Sequence, residues 1–115
     1  MQNKTVLHKT ISDVAPMQTS HGVGEKRVLF SQKEFSSPIT QLAQTRLQKG
    51  TVVENHTHAT MDEHFIFLRG KCMLKTDGEE IICEEGQYLF VPAGVSHQIN
   101  VLSDADMITV GVAIE

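Results

Sequence analysis

GTVVENHTHATMDEHFIFLRG, residues 50 to 70, holds His56 and His58 one residue apart, and Glu63 follows on the next apolar run. On an extended strand, side chains at i and i+2 leave from the same face, roughly 6.5–7 Å apart along the chain. Two imidazoles so placed can converge on one ion, and a carboxylate on a neighbouring strand can supply a third ligand. Within the run, Glu63, Phe65 and Phe67 alternate with His64, Ile66 and Leu68. The carboxylate therefore shares its face with Phe65 and Phe67, which would line an apolar pocket, while His64 points the other way. Ile66 and Leu68 make the second face apolar as well, so the strand is expected to be covered on both sides.

Beyond Gly70 the chain supplies a register. Asp77-Gly78 is a type I′ turn signal, and closing on it pairs Thr76 with Glu79, Leu74 with Ile81 and Cys72 with Cys83. One face then carries Leu74, Ile81 and both cysteines. The other sets Lys75 against Glu80 and Lys71 against Glu84, around Met73 and Ile82. A slip of one residue would destroy both charge pairs. The cysteines face each other in a hydrogen-bonded pair, whose spacing suits a bridge poorly, and are expected to remain core thiols. Gln87 to Val91 is the next strand, stopped by Pro92-Ala93-Gly94. His97, Ile99 and Val101 share a face of the strand after it; Asp104 to Asp106 is expected to turn the chain, and Met107 to Ile114 to form the last strand. An imidazole facing an otherwise apolar interior needs a reason to be there. His97 thus joins His56, His58 and Glu63 as a candidate metal ligand.

Toward the N-terminus, Ile39 to Leu47 has apolar residues at helical spacing, but only Gln48-Lys49-Gly50 separates it from the histidine pair. Strand continuing into strand is the reading adopted. Arg27 to Phe30 is a short strand, HGVGEK at 21 to 26 a turn, and Val6 to Ile11 an apolar segment of an arm that could add an edge strand. Residues 1–35 are read as N-terminal arm and edge strands and 36–115 as the barrel, in one domain overall. Roughly eight short strands with tight turns give an all-β fold of the small barrel or jelly-roll kind.

Composition narrows the function classes. Lys and Arg number 10 against 14 Asp and Glu, for a net charge of −4 without a basic cluster, which speaks against nucleic acid. No apolar run approaches membrane-spanning length, and the first residues, MQNKTVLHKT, lack the apolar core of a signal peptide; a cytoplasmic protein is expected. Two cysteines are too few for a disulfide framework.

The spacing resembles the cupin superfamily. Gly50, five residues, His56-x-His58, four residues, Glu63, six residues and Gly70 match its first motif, and Gly86, five residues, Pro92-x-Gly94, two residues and His97 match its second. Asn100 stands one position early for the family's asparagine and is given no role. The resemblance, which covers about residues 40 to 114, implies a small double-stranded β-helix (jelly-roll) barrel. It also implies that His56, His58, Glu63 and His97 hold one divalent transition metal (Fe, Mn, Ni, Zn or Cu) inside the barrel mouth. The four-residue gap before Glu63 is similar to that of germins and manganese oxalate-degrading cupins. The reaction expected is oxygenation, decarboxylation or isomerisation of a small organic metabolite, with metal-bound water or the substrate itself as the reacting group. The alternative is a non-catalytic metal or small-ligand binding or sensor module. Arg46, Gln41 or Gln44 could meet an anionic end of the substrate if their strand faces inward. Glu54 and Asp62 flank the ligands and read equally well as surface charges. Family members commonly pair, and the outward Ile66 and Leu68 give a homodimer a local reason.

Overall fold

A computed structural model describes residues 6–114. The strands, in chain order, are β1 (Met17–Gln18), β2 (Glu25–Ser31), β3 (Ile39–Leu47), β4 (Val52–His56), β5 (Met61–Thr76), β6 (Glu79–Glu84), β7 (Tyr88–Val91) and β8 (His97–Ala113). Single 3₁₀ turns lie at Ile11–Asp13 and Gln32–Glu34. Among the described residues no helix is long and apolar enough to cross a membrane.

The frame is an antiparallel ribbon of the two long strands, β5 and β8, paired from Met61 opposite Ala113 to Lys75 opposite Gln98. At one end β3, β2 and β1 extend the sheet beyond β8, and β7 flanks β5; at the other end β4 pairs with β8, and β6 with β5. The ribbon bends between these ends, where its register shifts three times from Phe67 to Cys72. Gly70 sits in the bend with φ of 87°, and a Cβ there would overlap the Asp104 carbonyl. Both halves thus fold over one core, which includes Val53, Phe67, Cys72, Leu74, Val101 and Met107. This is an all-β jelly-roll barrel. The turn expected at Asp104 to Asp106 is a bend inside β8 instead, because Arg69 and Lys71 keep pairing with Asp106 and Ser103 across it.

The 71–84 hairpin has the register the charges dictate, from Thr76–Glu79 to Lys71–Glu84. Asp77 and Gly78 both take positive φ, 41° and 80°, as a type I′ turn requires. Cys72, Leu74 and Cys83 are buried, and both cysteines are free thiols. Burial and the neighbouring Cys83 push the Cys72 thiol up to about 11, so it is an inert core group. Ile81, expected beside them, is half-exposed because β6 is an edge strand.

Ile39–Leu47 is a strand along its whole length, since β2 and β8 both hydrogen-bond it; paired edges override its helical spacing. The apolar arm segment Val6 to Ile11 forms no strand. The edge strand is β1, held against Lys26 and Glu25 by a compact turn in which the Gly22 amide donates to the Thr19 carbonyl at 3.0 Å. The expectation that both faces of β5 are covered fails within one chain. Phe65 and Phe67 are buried, whereas Ile66 and Leu68 are 44% and 45% exposed, because among the described residues no second layer lies over the outer face of β5.

Candidate metal centre

β4 ends on His56, the connection to β5 carries His58, Glu63 is the third residue of β5, and β8 opens on His97. Pairing of β4 with β8 sets His56 and His97 opposite each other. One ligating atom from each of the four residues lies within 4.8 Å of all the others. His58 Nε2 and His97 Nε2 stand 3.1 and 3.3 Å from Glu63 Oε1. Two neighbouring ligands each about 2.1 Å from one ion are separated by about 3 Å, so the spacing fits a shared cation.

The polar atoms support the same fit. His58 Nε2, Glu63 Oε1 and His97 Nε2 are buried without an aligned hydrogen-bond partner, an arrangement a protein rarely leaves without another ligand for those atoms. His56 Nδ1 donates to the Glu54 carbonyl at 2.8 Å, and His97 Nδ1 to the Val95 carbonyl at 3.0 Å. A carbonyl only accepts, so each Nδ1 carries the proton and each neutral ring keeps its Nε2 lone pair for the cluster. Burial pushes the Glu63 carboxyl up, but His97, His58 and His56 together hold it below its ordinary value. Burial pulls His97 down, and its Glu63 and Val95 contacts more than reverse that. His56 is lowered by burial, with adjacent imidazoles adding to the effect.

The turn before His97 is tied to residues that flank the other ligands. The Ala93 amide donates to Asp62 Oδ1 and the Gly94 amide to the His58 carbonyl, both at 2.8 Å. Asp62 is therefore a brace between the two ligand-bearing segments.

His56, His58 and Glu63 border a cavity of about 150 Å³, and His97 stands buried behind them. Phe65, Ile99 and Met107 form its apolar wall. Phe67, expected to line it too, lies two residues deeper and is packed in the core at 1% exposure. Gln41 lines the cavity, but Gln44 and Arg46 do not, because the alternation of β3 turns them outward. Gln44 donates to both carboxylate oxygens of Asp106 at 3.0 and 3.1 Å, and Arg46 pairs with the same group at 3.4 Å. In their place stand residues the sequence reading passed over: Lys26 on β2 and Thr19, Ser20 and His21 in the turn before it. The His21 ring lies 4.3 Å from that of His56, centroid to centroid, and burial lowers its pKa. Period-two alternation through EKRV would have pointed Lys26 inward beside Val28; the glycine-rich turn gave His21 no such signal.

A family model described as the cupin domain matches residues 43–113. Tetracenomycin polyketide synthase protein TcmJ of Streptomyces glaucescens is 28% identical over 89 residues, covering 77% of this chain. The chain spans 58% of the length of that relative. Among solved structures, a predicted oxalate decarboxylase from Thermotoga maritima superposes with a TM-score of 0.84 at 22% identity, covering 94% of this chain and all of that one. Ectoine synthase from P. lautus gives a TM-score of 0.82 at 16% identity, over 96% of this chain and 80% of that one. At these identities the two structures speak to the fold.

Proposed function

The chain belongs to the cupin family, and on that footing we propose that it is a divalent-metal-dependent enzyme acting on a small organic metabolite inside its barrel. One observation carries the reading: the buried, unpartnered donor atoms of His58, Glu63 and His97 converge with His56 at the edge of an open cavity. A purely structural metal site is closed by protein on every side, whereas a catalytic one keeps room for a reactant.

The chemistry available from a bound Fe, Mn, Ni, Zn or Cu ion is polarisation of a substrate oxygen or, for the redox-active metals, electron transfer. The remaining tasks fall to the protein. The backbone carbonyls of Glu54 and Val95 fix the orientation of two imidazoles. Glu63, with its lowered pKa, presents an ionised carboxylate at neutral pH. Phe65, Ile99 and Met107 exclude bulk water from the inner wall, and a cavity of about 150 Å³ admits a molecule near the size of benzene. The relatives are named for different chemistries, an oxalate decarboxylase, an ectoine synthase and a polyketide synthase protein. Side chains particular to this chain must therefore select among oxygenation, decarboxylation and isomerisation.

Elemental analysis of protein purified without added metal should find about one transition ion per chain, reduced severalfold in His58→Ala. Oxygen-uptake and product assays over a panel of small acids and ketones should then show turnover that chelation abolishes. Turnover indifferent to chelation would sink the proposal, and bound metal without turnover of any panel member would assign a non-catalytic binding or sensor module.

The outer sheet face supports a homodimer as part of the same proposal. Cross-strand partners form a row, Phe30, Leu42, Val110, His64 and Phe90, apolar except for His64, beside a second row ending in Ile108, Ile66 and Tyr88. Ile66, Tyr88 and Phe90 are 44%, 59% and 44% exposed, where a solvated antiparallel face would be polar. Light scattering should give twice the chain mass, and the double substitution Ile66→Lys, Phe90→Lys should halve it. A wild-type monomer at micromolar concentration would overturn the dimer.

A further inference from the structure

The cavity wall opposite the ligand cluster carries a charge that the metal reading does not use. Lys26 is the only lysine or arginine among the described residues that line the cavity. On β2, Glu25 and Arg27 face outward and pair with each other at 2.9 Å, while Lys26 faces inward, across from Thr45. Among the described residues no carboxylate lies within ion-pair distance of Lys26. Its Nζ instead donates to Gln41 Oε1 at 3.3 Å, in a part-buried contact.

That contact orients the amide. An ammonium only donates, so Gln41 must turn its oxygen to Lys26 and leave its Nε2 protons for something else. Gln41 Nε2 has no protein partner among the described residues, and Lys26 retains two unused N–H groups. Two adjacent donors, one of them charged, face a cavity whose sole carboxylate among the described residues, Glu63, belongs to the candidate metal cluster. Carboxylates accept two parallel hydrogen bonds readily when one donor is cationic. A phosphate dianion is served poorly here, because the wall offers a single cation and no helix N-terminus.

We propose that Lys26 and Gln41 form the carboxylate-binding end of the active site. The substrate class is then a small carboxylic acid of about six heavy atoms, held by its carboxylate at Lys26 with a second oxygen function directed to the His56–His58–Glu63–His97 cluster. This rests on the metal-enzyme reading for the role of the second oxygen, but not for the carboxylate contact itself. Of the three residues that could meet an anionic end if β3 faced inward, Gln41 is kept, and Lys26, one strand away, stands in place of Arg46 and Gln44.

The test is isothermal titration of the intact protein, metal-loaded and chelator-treated, with pyruvate, 2-oxobutyrate and acetoacetate, each beside its neutral amide. Metal content is measured in the same samples. The wild type should hold at least one acid tenfold or more tightly than its amide, the range set by hydrogen bonds to a charged group. Lys26→Met and Gln41→Met should each erode that preference, Lys26→Met to less than threefold. Lys26→Arg should retain most of it, which controls for loss of fold, and metal content should stay unchanged in all three. No preference in the wild type, or one that survives Lys26→Met in a folded protein, overturns the assignment. A Lys26-dependent preference in protein that cannot hold metal would refute the metal reading and leave the carboxylate site standing.

Discussion

The two walls of the cavity are built on different principles. The ligand wall comes from β4, β5 and β8, and two of its three imidazoles are fixed by backbone carbonyls two residues away, at Glu54–His56 and Val95–His97. The opposite wall comes from β2, β3 and the 19–24 turn, and Lys26 and Gln41 meet there only because β2 pairs with β3. One wall is locally determined and rigidly braced, and the other depends on the docking of the N-terminal segment. On the proposed reading, the first wall would fix what chemistry is available and the second would select the molecule that meets it.

Perturbations should separate the walls. His97→Ala removes a ligand that is fully buried, and it should weaken metal binding on the order of 100-fold or more, read by competition with a chromophoric chelator. Acid should act in the same direction: each imidazole must be neutral to ligate, so metal affinity should fall steeply from pH 7 to pH 5. An affinity flat across that range would rule out imidazole ligation. Asp62→Ala leaves the ligands in place but frees the Ala93 amide, and should cost about tenfold in metal affinity and about 1.5 kcal/mol of stability. If the Asp62 variant matched wild type in both, the turn before His97 would be held by the Gly94–His58 bond alone. The smallest effect belongs to the other wall. His21→Ala should change metal affinity by less than about threefold, because His21 only packs against His56, with the rings tilted, and lies outside the four-residue cluster. A drop comparable to that of His97→Ala would show that the N-terminal segment is part of the metal centre, and the contrast between the walls would collapse.

The contrast also explains what was legible in the chain. A spacing of two residues suffices to group His56 with His58, although His58 lies just past the end of β4, and Glu63 with Phe65, and the charge pairs around Asp77-Gly78 suffice for the hairpin register. Both are short-range relations, in which pleat geometry leaves few alternatives. The same alternation overreached at Phe67, because periodicity gives the face of a side chain and not its depth. It also missed that β5 and β8 run unbroken through both halves of the barrel, since a bend compensated on the partner strand looks like a turn in one dimension. Arg46 could meet an anionic end of a substrate only if β3 turned it inward. Its guanidinium instead meets Asp106, 60 residues away, on the outside.

Strand content, the hairpin and the pairing of His56 with His58 and Glu63 are legible in one dimension, because each depends on spacings of a few residues, and His97 is legible through its place on the apolar face of Ile99 and Val101. Which wall faces those groups follows from long-range pairing instead. Thr19 to Lys26 reaches the cavity through β1–β2–β3 pairing, a long-range arrangement fixed by edge-strand hydrogen bonds and by the close packing of Gly24 against Leu47. No local pattern encodes that closure. It arises when the barrel's free edge is filled, and it brings Lys26 to the cavity that holds the ligand cluster.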